Sequence, residues 1–196
     1  MRLLIATATA TAFVALSGIM LVPSQAAQWS EAGGITSIPY GHLDYCKRTP
    51  RDCGAHRALA PMKLTPDRMK LLQSVNASVN AAIKPVSDQD NYGKRDYWTI
   101  PKNGKGDCED YVLLKRAKLM ARGISPSQLL ITMVQGSEAH IVLTVRTDSG
   151  DYILDNMRAD VLPVEKTSYR YIKMQSPSHS GQWVSIAGRS VNVASN

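Results

Sequence analysis

Past residue 22 the chain has no apolar run long enough to cross a bilayer, and it is sparing with cysteine, with three in 196 residues. Neither a CxxC nor a HxxxH spacing occurs, which argues against a structural zinc site built on Cys46, Cys53 and Cys108. A basic, aromatic RNA-reading signature is also missing. The lysines and arginines are scattered, so no nucleic-acid partner is expected.

What is present begins with an address. Met1-Arg2 opens onto a mostly apolar, small-residue run from Leu3 to Val22, followed by Pro23-Ser24-Gln25-Ala26-Ala27, where Ser24 and Ala26 satisfy the small-x-small rule. Residues 1–26 are read as a signal peptide cleaved near Ala26, with an uncleaved membrane anchor as the competing reading. The remainder, 27–196, is then expected to be a single domain, periplasmic or secreted. It carries 22 Lys plus Arg against 16 Asp plus Glu, a net of +6, which suits contact with an anionic cell envelope.

The stretch with the most chemistry is Gly104-Lys105-Gly106-Asp107-Cys108-Glu109-Asp110-Tyr111. Good helix formers follow it through Arg122, and Gly123 supplies a left-handed stop. Cys108 is therefore placed in the first turn of a helix. There, unpaired N–H groups and the helix dipole favour thiolate over thiol, although a structural cysteine packed under the helix fits the same position. Cysteine arithmetic bears on this choice. In an oxidising compartment Cys46 and Cys53, flanking a short segment centred on Pro50, can close into a local disulfide, which leaves Cys108 as a lone thiol.

Other elements are readable around this one. Residues 28–62 are punctuated by glycine and proline and are expected to be loop. Thr65 is the N-cap and Pro66 the first residue of a helix ending at Lys84-Pro85, with Met69, Leu72, Val75, Val79 and Ile83 on its buried stripe and Asn76 and Asn80 beside it. From Val86 to Lys105 a long polar, aromatic connection leads to the cysteine. In it Trp98 is either a cleft wall or a core residue, and Trp98 and Asn103 are candidate oxyanion donors. Leu129–Val134 reads as a buried strand, and Ala139–Arg146, the turn Thr147-Asp148-Ser149-Gly150 and Asp151–Asp155 read as a hairpin. His140 and Asp155 both lie near its open end, and the right register lets them meet. A thiol, an imidazole and a carboxylate are what nucleophilic catalysis by a Cys-His-Asp triad requires.

Taken in order, several segments resemble the bacterial transglutaminase-like cysteine proteinases, within the papain and transglutaminase superfamily. They are Pro39-Tyr40-Gly41-His42 through Cys46 and Cys53; Val75-Asn76 with Val79-Asn80; Tyr92-Gly93 with Asp96-Tyr97-Trp98; Gly106–Tyr111; and His140-x-Val142-Leu143 with Leu154-Asp155-Asn156. The resemblance implies an α+β fold whose nucleophile opens a helix packed on an antiparallel sheet. It assigns Cys108 as nucleophile, His140 as base and acid, and Asp155 as the orienting group. It also implies calcium, with Asp107, Glu109 and Asp110 as ligands, although these acids could equally pair with Lys or Arg. As partners it implies a cell-envelope or surface protein substrate such as an adhesin, in the setting of biofilm release, and an inner-membrane receptor for cyclic diguanylate. The protein is expected to be a monomer. Transglutaminase-type acyl transfer and a non-catalytic calcium-responsive binding protein are the other two functions compatible with these residues.

Overall fold

The computed structural model describes residues 28–187. The signal-peptide reading falls outside the described residues. The elements, in chain order, are β1 (Glu31–Thr36), α1 (Tyr40–Arg48), α2 (Pro66–Ala82), β2 (Lys84–Pro85), α3 (Asp88–Tyr92), β3 (Lys105–Gly106), α4 (Cys108–Met120), β4 (Leu129–Gln135), β5 (Ala139–Thr147), β6 (Gly150–Leu154), β7 (Leu162–Pro163), β8 (Arg170–Ser176) and β9 (His179–Ala187). Seven strands form one antiparallel sheet in the order β1-β9-β8-β4-β5-β6-β7. The expected α+β class, with a helix that opens on the cysteine packed against an antiparallel sheet, is what the structure has. Among the described residues no helix is long and apolar enough to cross a membrane.

The main core lies where α2 and α4 cover the sheet. Leu72, Val75 and Val79 of α2 and Val112, Leu113 and Leu119 of α4 pack on Leu129, Ile131, Leu143, Val145 and Leu154. Thr65 caps α2 by accepting the Arg68 N–H on its side chain, and Pro66 is the first helical residue, as its fixed φ and missing N–H favour. Helix α4 departs from the usual amphipathic pattern. Glu109, Asp110, Lys115 and Arg116 are buried along with its apolar residues, which already marks it as more than a covering helix.

The segment 28–62, expected to be loop, holds an edge strand and a helix instead. Glycine concealed both. Gly41 sits in the first turn of α1 with its N–H donated to Asp96 Oδ2 at 2.7 Å, and a Cβ there would stand 2.2 Å from the Asp96 carboxylate and 2.3 Å from Trp98. What reads as a breaker is therefore a close-approach residue. The two cysteines of this region are joined, Cys46 to Cys53, and Cys108 is the free cysteine among the described residues.

The long connection between α2 and α4 is closed at its base. β2 and β3 pair in parallel, the Lys84 N–H donating to Gly104 O at 2.8 Å and the Val86 N–H to Gly106 O at 3.0 Å. Within it, Ser87 caps α3 and Gly93 ends it with φ +67°. This clamp fixes where α4 begins, and so where Cys108 stands.

Candidate active site

Cys108 is the first residue of α4, the place for an unpaired backbone N–H and a positive dipole end. Dipole alone does not decide its ionisation. Burial pushes the thiol well above its ordinary value, the neighbouring Glu109 carboxylate pushes in the same direction, and Sγ donates to Glu109 Oε2 at 3.2 Å; the Ile141 N–H beside the sulfur works the other way. The helix terminus favours the thiolate, but burial and the Glu109 and Asp107 carboxylates push the other way and prevail.

His140 and Asp155 are brought together by the hairpin register. Leu143 pairs with Leu154 in the last step of the β5–β6 ladder, so Asp155, one residue on, lies across from the strand that carries His140. His140 Nε2 and Asp155 Oδ1 are 2.8 Å apart, both residues buried. With Nε2 engaged by the carboxylate, Nδ1 is the nitrogen left for another partner. The Ile141 N–H at the sulfur places Cys108 against the residue next to His140.

Asp155 has further donors. The Met157 N–H bonds Oδ1 at 2.9 Å and the Tyr169 hydroxyl donates to Oδ2 at 2.6 Å. Burial alone would raise its pKa, but the bonds from His140, Tyr169 and Met157 outweigh burial and hold it below the usual carboxylate value. The chain after Asp155 is pinned to α2. Asn76 Nδ2 donates to the carbonyls of Arg158 and Ala159, both at 3.0 Å, and Asn80 Nδ2 to those of Asp155 and Arg158 at 2.9 and 3.0 Å. Those asparagines, ambiguous in sequence, tie the helix to the loop behind the carboxylate.

A second cluster adjoins the sulfur. One carboxylate oxygen from each of Asp88, Asp107 and Glu109 lies within 4.8 Å of the others. Asp107 occupies the N-cap of α4 without capping it; its Oδ2 accepts the Asp88 N–H at 3.2 Å instead. Asp88 Oδ2 accepts the Tyr97 N–H, and Asp110 Oδ1 the Thr99 N–H at 2.9 Å. This leaves Asp88 Oδ1, Asp107 Oδ1 and Asp110 Oδ2 buried with no hydrogen-bond partner. Burial and then mutual repulsion push Glu109 up to about 9; burial, partly offset by the Thr99 N–H, pushes Asp110 up to about 8; Asp107 is raised in the same way. Among the described residues, no lysine or arginine forms an ion pair with any of the four. Unpaired, oxygen-only and crowded, this donor set fits a hard divalent cation. Asp88 is a member that sequence reading passed over as loop polarity; the cue was a carboxylate on a connection that must fold back to β3.

Trp98 and Asn103 are placed elsewhere. Trp98 is 2% exposed, packed edge-on to His42 and Trp183, with its indole N–H given to Asp96 Oδ1 at 2.8 Å. It is a core residue with no free donor. Asn103 donates from Nδ2 to Asn91 Oδ1 at 2.9 Å and accepts the Lys105 N–H on Oδ1, shaping the loop before α4.

A thiol that opens a buried helix on an antiparallel sheet, and a hairpin that carries a histidine–carboxylate pair, are what the resemblance to the transglutaminase-like cysteine proteinases implies. Comparison with known proteins agrees: residues 32–191 match the profile of the bacterial transglutaminase-like cysteine proteinases, and the chain belongs to that family. Among solved structures, LapG of Legionella pneumophila in its calcium-bound form is similar at 25% identity and a TM-score of 0.52, over 67% of this chain and 77% of that one. Another LapG structure matches at 26% identity and 0.51, over 62% of this chain and 71% of that one. An EGTA-treated LapG matches at 26% and 0.51, over 62% of this chain and 69% of that one. Comparison with curated proteins finds no match. The protein is therefore a cysteine peptidase of the transglutaminase-like kind.

Proposed function

We infer that the protein is an exported cysteine endopeptidase in which Cys108 is the nucleophile, His140 the general base and acid, and Asp155 the group that fixes the histidine. The 2.8 Å contact between His140 Nε2 and Asp155 Oδ1, beside a free cysteine at a helix start, carries this reading. His140 Nδ1 takes the thiol proton as Sγ attacks the peptide carbonyl, and the imidazolium then protonates the departing amine. Water, deprotonated by the same imidazole, hydrolyses the thioester and frees the thiol. The N–H of Cys108 at the first helical position is the simplest donor to the oxyanion.

Asp88, Asp107 and Glu109, with Asp110 behind them, are the residues that would hold calcium. A bound cation would supply positive charge near the sulfur and offset the carboxylates that keep it protonated. The orphaned oxygens of Asp88, Asp107 and Asp110 support this assignment, as does the similarity to LapG, a structure of which is calcium-bound. By family resemblance, we place the enzyme in the periplasm after signal-peptide removal. We give it an envelope or surface protein such as an adhesin as substrate, an inner-membrane receptor as regulator, and a monomeric state.

The test is incubation of the purified protein with envelope proteins, with and without a chelator and with and without a primary amine. The expected result is shorter products, lost on chelation and in Cys108→Ala. Cross-linked or amine-labelled products would assign acyl transfer instead, and products unaffected by Cys108→Ala would end the catalytic reading.

A further inference from the structure

Asp155 makes more contacts than an orienting carboxylate needs. Of its two oxygens, Oδ1 serves both His140 Nε2 and the Met157 N–H, and Oδ2 has one side-chain donor, the hydroxyl of Tyr169 at 2.6 Å. The Tyr169 ring also lies beside the imidazole, ring centres 5.8 Å apart and planes at 44°. Tyr169 directly precedes β8, the neighbour of β4, so it approaches the pair from a part of the chain distinct from both hairpin arms. Its place is made by Gly136, where an added Cβ would stand 3.2 Å from the tyrosine ring. The exposed Arg158, whose carbonyl is held by Asn76 and Asn80, has its side chain near the Tyr169 hydroxyl.

A carboxylate with only one oxygen bound can rotate about its Cβ–Cγ bond and carry the histidine with it. Pinning the second oxygen removes that freedom, and a short bond to an ionised acceptor is among the stronger hydrogen bonds available. We propose that Tyr169 is a positioning residue of the active site, a fourth member that locks the Asp155 carboxylate in the plane that holds His140 toward Cys108. This rests on the triad reading above. The sequence hides it, because nothing in the neighbourhood of Tyr169 carries a local chemical signature.

The probe is the rate at which iodoacetamide alkylates the protein in calcium-replete buffer at neutral pH. Cys46 and Cys53 are already joined, so the rate reports on Cys108. Tyr169→Phe is expected to slow alkylation about tenfold, the scale of one charge-assisted hydrogen bond, and to broaden the downfield proton signal of His140 Nε2–H. In an Asp155→Asn background the same change is expected to add nothing, because the hydroxyl then has no carboxylate to hold. An unchanged rate, or an equal slowing in the Asp155→Asn background, overturns the proposal. If Tyr169→Phe does not fold, Gly136→Ala, which presses on the ring from behind, takes its place under the same two criteria. His140→Ala separates this claim from the one beneath it: if that variant is alkylated at the parental rate the triad itself falls, whereas slow His140→Ala with fast Tyr169→Phe removes only the role of Tyr169.

Discussion

Lys115 shows most plainly what a single residue contributes here. It lies two turns along α4 from Cys108, is wholly buried, and its Nζ has no hydrogen-bond partner. Burial pushes its pKa down to about 7, against the pull of the Asp155 charge. A folded-state pKa below the unfolded one stabilises least in acid: the unfolded chain binds the proton more readily, so stability rises with pH from about 7 to about 10. Lys115→Met is therefore expected to stabilise the protein by about 1–3 kcal/mol below pH 7 and to change little near pH 10, measured by urea denaturation at both. Gly106 offers a second test. A Cβ on it would stand 2.3 Å from Asp110 Oδ2, so Gly106→Ala should turn that carboxylate aside and weaken calcium binding about tenfold by titration calorimetry. Unchanged affinity would remove Asp110 from the cation site.

At the scale of elements, the union of α2 with the segment behind β6 matters most. Asn76 is wholly buried and bonds two carbonyls there. Asn76→Ala leaves the Ala159 carbonyl without that donor and the Arg158 carbonyl with Asn80 alone, and is expected to cost about 1–3 kcal/mol by chemical denaturation. Turnover should fall with it, since Asp155 is the next anchor along. The sequence made α2 legible through its cap, its proline and its stripe. The β5–β6 hairpin was equally open, through its alternation and Gly150, which adopts φ +101° at the turn. Helix α1 was hidden because Gly41 serves proximity to Asp96 rather than flexibility, a role visible only once Asp96 is beside it. Sequence reading placed Cys108, His140 and Asp155 on a helix start and two strand ends. It could not give the burial that, ahead of Glu109, sets the ionisation of the thiol. Asp88 and Tyr169 were beyond it for another reason: each comes to the site by tertiary folding from a segment with no local chemical signature.

Over the whole molecule, the acidic cluster couples folding to protons and, on the calcium reading proposed above, to a cation. Glu109 and Asp110 titrate in the folded state at about 9 and about 8, above their unfolded values. The stability this lends is full below about pH 4, where both states are protonated, and is lost as pH rises through 8 and 9. The chelated protein should accordingly lose melting temperature between pH 5 and pH 9. Saturating calcium is expected to raise it by about 5–10 °C at pH 7.5 and very little at pH 5, where protons compete far more strongly for the same oxygens. Scanning calorimetry with and without EGTA at the two pH values measures this directly; an equal calcium effect at both would place the ion elsewhere.

The bond from Cys108 Sγ to Glu109 has a consequence for how the enzyme survives before use. Peroxide attacks sulfur anions, and a sulfhydryl held neutral by a dry pocket and an adjoining acid offers little of the reactive form. On the calcium reading proposed above, the chelated protein should therefore keep its titratable thiol through a peroxide exposure that converts the calcium-loaded protein to sulfenic acid.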